Sequence, residues 1–234
     1  MTRFALAASC CALALAACSE PTGSTTDETR NSTMTPASTS AETIASGDVA
    51  ALRERLAMAE RVVPNLDALI ARQVIVDEAR ACTPRDSDTI PLRDLPADPT
   101  DPAANGALAD EYLRDIVTEP CVFRLPSGLI FRIRTAVEEG ESPMRGDMVT
   151  VNYRGQLLNG EEFDSSWTRG EPATFPSDRL IAGWVEALPL MRVGERWELF
   201  IHPDLAYGMR GTQGGPIGPN MALVFELELL GLPG

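Results

Sequence analysis

One stretch of this chain sets a few polar side chains among aromatic ones. Between Tyr153 and Phe225 occur Phe163-Asp164-Ser165-Ser166, Leu180-Ile181-Ala182-Gly183-Trp184, Tyr207-Gly208, Ile217 and Leu223-Val224-Phe225. Aromatic residues make up only 6% of the chain, yet all three of its Trp and two of its three Tyr fall in this stretch. Apolar rings on separate elements, with a carboxylate and two phenols among them, suit one apolar cup with polar groups aimed into it.

What is missing narrows the chemistry. His202 is the single histidine. A nucleophilic triad or an ordinary zinc site would have to use it. It precedes Pro203 at the end of an apolar run and reads as a strand-end surface residue. No Cys-x-x-Cys occurs, so neither a zinc knuckle nor a redox pair is indicated, and no metal or cofactor motif is found. The formal charge of −14 disfavours nucleic acid, whose phosphates need a basic face, and an electrostatic grip on anionic lipid.

The chain must position these residues, and it changes character along its length. Residues 1–17 read as a signal peptide: Arg3, then a short apolar run from Phe4 to Ala14. That run is too short to span a bilayer, which takes about 20 apolar residues. Leu15-Ala16-Ala17-Cys18 has the form of a bacterial lipobox, which makes Cys18 the lipidated residue; the alternative is an ordinary cleavage site before a Cys. Ser19 is not Asp, which by analogy with enterobacterial sorting points to the outer membrane. These features place the chain in the periplasmic cell envelope. Residues 18–46, rich in Ser and Thr, lack the apolar residues to bury and read as a disordered tether.

Residues 47–120 read as helical. Val49, Leu52, Leu56, Ala59 and Val63 form one stripe, with Asp48 as its cap. A second helix is expected from Asn65 to about Ala81, with Leu66, Leu69, Ile70, Val74 and Val76 on a broad apolar face. A long exposed loop follows over Thr83 to Asn105, then a third helix from Ala107 to Val117. These helices either pack on the C-terminal domain or serve a homodimer or an unfolded client. Cys82 and Cys121 flank the third helix. Export to an oxidising compartment favours a disulfide between them over two separate thiols.

From Cys121 to residue 234 the period becomes two. Leu129 to Ile133, Val149 to Tyr153, Trp197 to Ile201 and Leu223 to Leu229 read as strands. Pro126-Ser127-Gly128 and Asn159-Gly160 read as turns. One short helix, about Ile181 to Leu188, interrupts an antiparallel sheet with one buried face. The fold class is α+β.

The order of segments here closely resembles the FKBP-type peptidyl-prolyl cis-trans isomerases. The segments are Val151-Asn152-Tyr153-Arg154-Gly155, Gly160-Glu161-Glu162-Phe163-Asp164-Ser165-Ser166, Ile181-Ala182-Gly183-Trp184, Asp204-Leu205-Ala206-Tyr207-Gly208 and Leu223-Val224-Phe225-Glu226-Leu227-Glu228-Leu229-Leu230. Gly214-Gly215-Pro216-Ile217-Gly218-Pro219-Asn220 resembles the bacterial branch that includes the macrophage infectivity potentiator, which carries helices ahead of its isomerase domain. The resemblance implies a sheet wrapped around a short helix, with Trp184 as pocket floor. Tyr153, Phe163, Phe175, Leu180, Ile181, Tyr207, Ile217 and Phe225 would be its walls, and Asp164 and Tyr207 its polar contacts. It implies isomerisation of X–Pro bonds in unfolded or exported proteins, inhibition by macrolides, and no cofactor. Three positions depart from the common pattern. Ala173 and Leu205 stand in place of aromatic residues, and Gly218 in place of a Pro, which predicts a looser flap.

Overall fold

The computed structural model describes residues 66–86 and 88–233. The expected signal peptide, Cys18, the tether and the first helix lie outside those residues. Two helices lead: α1 (Leu66–Ala81) and α2 (Pro102–Ile116). The strands are β1 (Phe123–Arg124), β2 (Ile130–Thr135), β3 (Met148–Gln156), β4 (Glu162–Ser165), β5 (Ala173–Pro176), β6 (Arg196–Ile201) and β7 (Leu223–Gly231). Helix α3 (Ser166–Arg169) lies between β4 and β5, and α4 (Ala182–Ala187) follows β5. The sheet thus has two helical interruptions, where one was expected. Ser165 caps α3 by accepting the Thr168 N–H, and Gly170 ends it in the left-handed region.

The sheet runs β1-β2-β6-β7-β3-β4, with β5 also on β3, and every pairing is antiparallel. It curls without closing. β3 and β7 form its spine, pairing Tyr153 with Leu227 and Gly155 with Phe225. The inner face carries the main core: Phe131, Val151, Leu199, Leu227 and Leu229 pack against Trp184 and Leu188 of the α4 region. Phe131 and Trp197 stack with ring centroids 4.7 Å apart.

The outer face is covered too, which corrects the expectation of one buried face. Ala109, Tyr112, Leu113 and Ile116 of α2 pack against Ile130, Phe200 and Val224. These three sit where a solvated strand would carry polar residues. Arg132 is fully buried on the same face and donates to Glu198 at 2.6 Å. Arg134 meets the other oxygen of Glu198 at 2.9 Å. Glu198 thus meets a cation at each oxygen, while Arg132 Nη1 and Nη2 are buried with no partner among the described residues, so part of the desolvation cost of this pair is not recovered.

Helix α2 begins earlier than Ala107. Asp101 caps it through the N–H groups of Ala103 and Ala104, and Pro102 fills a first-turn position. Asn105, expected to end the preceding loop, is a buried helix residue. Its Nδ2 donates to Pro99 O at 2.9 Å and to Pro219 O at 2.8 Å. The stretch before α2 is pinned at points, where a wholly exposed loop was expected: Leu95 lies against both cores and Arg93 N–H donates to Leu158 O at 2.9 Å, while Leu92 and residues 97–101 stay exposed.

Helix α1 buries apolar side chains only in its last turns, while Arg72 Nη2 reaches Glu186 of α4 at 2.5 Å. Val76 and Ala79 are buried, whereas Leu69, Ile70 and Val74 are about half exposed, so the expected broad apolar face is covered on one side alone. Arg80 Nε donates to the buried Glu195 at 2.7 Å, which also accepts the Trp197 indole N–H at 3.0 Å. Cys82, just past α1, is bonded to Cys121, with Cα atoms 5.6 Å apart and a sequence separation of 39. Closing such a loop contributes up to about 4 kcal/mol through the unfolded chain. Reduction is expected to lower the melting temperature by about 8–16 °C, at roughly 2–4 °C per kcal/mol for a domain of this size. Calorimetry with and without reductant checks this; a shift under two or three degrees assigns the bond no restraint.

Candidate functional site

The site is a cavity of about 570 Å³ on the concave side of the sheet. Five aromatic rings build it as a connected series. Phe175 lies 6.2 Å from Tyr153, Tyr153 5.3 Å from Trp184, Trp184 5.3 Å from Phe225, and Phe225 5.6 Å from Phe163. Three of the four contacts are edge-to-face, the arrangement favoured by the ring quadrupoles. Each ring comes from a different element: β5, β3, α4, β7 and β4. Trp184 is only 4% exposed and forms the floor.

One glycine makes this packing feasible. A Cβ on Gly155 would stand 2.5 Å from Phe163 and 2.7 Å from Phe225. The two rings lean over bare backbone on β3, and no side chain fits there.

Leu180 and Ile181 form the wall ahead of α4. Ile181 is extended, and its carbonyl accepts the first helical N–H groups, from Trp184 and Val185. Its own N–H has no partner among the described residues. Tyr207 stands at the mouth, 39% exposed, on the turn after β6. Burial and the Asp164 charge push its phenol above its ordinary range, so it stays a neutral donor.

The polar corner is a three-residue network. Tyr153 Oη donates to Asp164 Oδ2 at 2.6 Å. Arg169 Nη2 donates to Tyr153 Oη at 2.9 Å, and Arg169 also binds Asp164 Oδ1. Desolvation first, then the bond to Asp164, raise the Tyr153 pKa and keep its proton in place. Helix α3 holds this corner rigid: the buried Ser166 Oγ accepts the Tyr153 N–H at 2.8 Å.

The structure therefore brings Tyr153, Phe163, Asp164, Phe175, Leu180, Ile181, Trp184, Tyr207 and Phe225 to one cavity, as the sequence reading grouped them. It does not bring Ile217. That side chain is 4% exposed in the main core and is not among the lining residues. Arg179, Ala182 and Ala206 also line the cavity, and Arg169 holds its polar corner from behind; none of the four was anticipated. The signal for Arg169 was available: a Ser cap and a Gly stop bracket a one-turn helix that returns position 169 to Asp164.

Gly218, expected to loosen the flap, also meets a close approach of backbone. A Cβ at that position would stand 2.3 Å from Pro99 O. Glycine is needed because the segment before α2 presses on the flap.

A second cavity, about 430 Å³, lies between α2 and the β1–β2 turn. Its polar lining includes Asp110, Arg114, Arg124, His202 and Asp204, and none of the five rings. His202 caps the turn after β6, its Nδ1 accepting the Asp204 N–H at 3.2 Å.

Known proteins are similar to this chain over its C-terminal half. The family described as FKBP-type peptidyl-prolyl cis-trans isomerase matches residues 139–230. A crystal structure of a peptidyl-prolyl cis-trans isomerase from Pseudomonas syringae is 32% identical, with a TM-score of 0.52, and the match covers 61% of this chain and 99% of that one. The chain belongs to the FKBP-type peptidyl-prolyl cis-trans isomerase family. Among other FKBP relatives, the peptidyl-prolyl cis-trans isomerase Mip of Coxiella burnetii is 48% identical over 126 residues, 54% of each chain. Outer membrane protein MIP of Legionella longbeachae is 46% identical over 54% of this chain and 53% of its own. The crystal structure of FkpA from Escherichia coli is 42% identical with a TM-score of 0.53, covering 56% of this chain and 60% of that one. The chain spans about half the length of the curated FKBP relatives it matches.

Proposed function

We propose that this chain catalyses cis–trans rotation about X–Pro bonds in exported proteins, from a lipid anchor at Cys18 in the cell envelope. The observation that carries the reading is the aromatic cup floored by Trp184, with Tyr207 and the Ile181 N–H at its edge.

The chemistry asks for little else. Rotation breaks amide resonance, with a barrier of about 18–20 kcal/mol. The planar amide is more polar than the twisted one. An apolar cup around the prolyl ring therefore favours the twisted state relative to the planar one, which is differential binding. The Tyr207 hydroxyl and the Ile181 N–H supply donors for flanking carbonyls. Tyr153, Asp164 and Arg169 fix the wall; no proton moves. Macrolides with a proline-like ring fit the same cup.

The test is a protease-free isomerisation assay on short X–Pro peptides, with and without a macrolide. No acceleration over the uncatalysed rate overturns the proposal. Within that assay, Tyr207→Phe is expected to lower kcat/KM about two- to tenfold, one hydrogen bond's worth. Asp164→Ala is expected to cost about tenfold by releasing Tyr153. Neither should move the melting temperature by more than a few degrees, because Asp164 is half exposed and its ion pair is weakly stabilising.

A second reading, a chaperone or binding module in which isomerisation is secondary, is favoured by the exposed Leu69, Ile70 and Val74 of α1. That face could take a client or a second copy of the chain. Refolding of a proline-limited protein by Trp184→Ala at full efficiency would choose it.

A further inference from the structure

Resting on the isomerase reading above, we propose that Arg179 selects substrates with an acidic residue beside the proline. Arg179 lines the cavity next to Leu180 and Ile181, and its side chain is exposed. Among the described residues it has no carboxylate partner and no side-chain hydrogen bond. The other charges on the cavity wall behave differently. Asp164 is held by Arg169, so that corner is neutral as a pair. The adjacent Asp178 is not a partner either; its carboxylate lies toward Gly146, 3.8 Å from where a Cβ there would stand. Among the described residues, the cavity lining therefore offers one uncompensated charge, and it is positive.

Its backbone is fixed while its guanidinium is free. The Arg179 N–H donates to Pro176 O at 3.2 Å. Two residues earlier Ser177 is buried; its N–H donates to Asp147 O at 2.9 Å, and its Oγ accepts the Gly146 N–H at 2.9 Å. A cation on an anchored turn meets a passing carboxylate without ordering the loop first. The chain's net charge of −14 does not cancel this. At physiological salt the Debye length is about 8 Å, so remote carboxylates are screened while a contact at the mouth is not. An exposed ion pair changes binding by roughly 1.5- to 5-fold, and exchanging an attractive for a repulsive partner widens the ratio further. The substrate class is thus the acidic X–Pro segment.

The experiment uses capped pentapeptides, uncharged apart from a single Glu or Lys scanned through the two positions before and the two after proline. kcat/KM is measured for the full chain, Arg179→Gln and Arg179→Glu. Binding of the same peptides is followed by tryptophan fluorescence, which reads the preference whether or not turnover occurs. For at least one position the Glu-to-Lys ratio should be about three- to tenfold in the native chain, near one in Arg179→Gln, and inverted in Arg179→Glu. It should collapse in 1 M salt, where the Debye length is about 3 Å. A ratio that is the same in all three proteins, by rate and by binding, overturns the role of Arg179 and leaves the isomerase reading standing. Absent turnover with an Arg179-dependent binding ratio overturns the isomerase reading and keeps the charge preference.

Discussion

Residues 121–234 expressed alone are expected to lose the native sheet. Every cavity-lining residue is retained in that piece, but its outer face is stripped. Ile130, Phe200 and Val224 are at most 2% exposed beneath α2. Uncovering each costs about 1.5–3 kcal/mol, so the three together lose roughly 5–9. A domain's whole margin is about 5–15 kcal/mol. Polar losses add to this. Pro219 O loses the Asn105 amide, and Arg134 loses the carbonyls of Arg85 and Asp88. Thermal unfolding of residues 66–234 and 121–234, both in reductant so that the Cys82–Cys121 bond does not contribute, is the comparison. The shorter piece should show no cooperative transition or one lower by at least 10 °C, the scale of a loss of several kcal/mol. Melting within a few degrees of the longer piece would show the helices to be a removable attachment.

Trp184→Ala is expected to be the most damaging single change at the cavity. The indole touches Tyr153 on one side and Phe225 on the other, and truncation leaves both rings facing a void. Emptying such a site costs about 3–5 kcal/mol. The prolyl ring also loses its floor, so kcat/KM should fall further than for Tyr207→Phe. Trp184→Phe separates the two effects. It refills most of the space and removes the indole N–H, which is buried with no partner among the described residues. Stability should largely return with Phe, while activity recovers only in part. Equal activity in the native, Ala and Phe proteins would remove the ring from the mechanism.

Most of the cavity was legible in sequence through the family resemblance, and local patterns support part of it. Alternation placed Tyr153 and Phe225 on one face, and a short amphipathic turn placed Trp184. The misreadings share one physical cause, partners distant in sequence. Asn105 looked like a loop residue because its type favours turns, yet its amide bonds Pro99 and Pro219, the latter 114 residues away. At Gly218 the sequence signals a loss of rigidity, while its close approach to Pro99, over 100 residues away, is not visible there. Phe200 and Val224 carried the one overlooked clue, being apolar at strand positions that water should have claimed. Helix α1 failed in the other direction. Its apolar residues exceed what the sheet covers, so periodicity alone overestimated the buried face.

The bond between Cys82 and Cys121 also bears on the order in which the parts assemble. The sheet's spine pairs β3 with β7, bringing Tyr153 to Leu227, a contact that must wait for a long chain closure. Helix α2 and its seat on β2 and β6 would ordinarily face a similar search. Within an oxidised chain α2 is held in a 40-residue ring next to β1, so it samples the outer face at high effective concentration from the start. An oxidised chain thus shields Phe200 and Val224 as the sheet forms, whereas a reduced chain exposes an apolar strand face for longer. The redox state of the compartment then governs refolding yield as well as final stability, because exposed strand faces are what transient intermediates aggregate through.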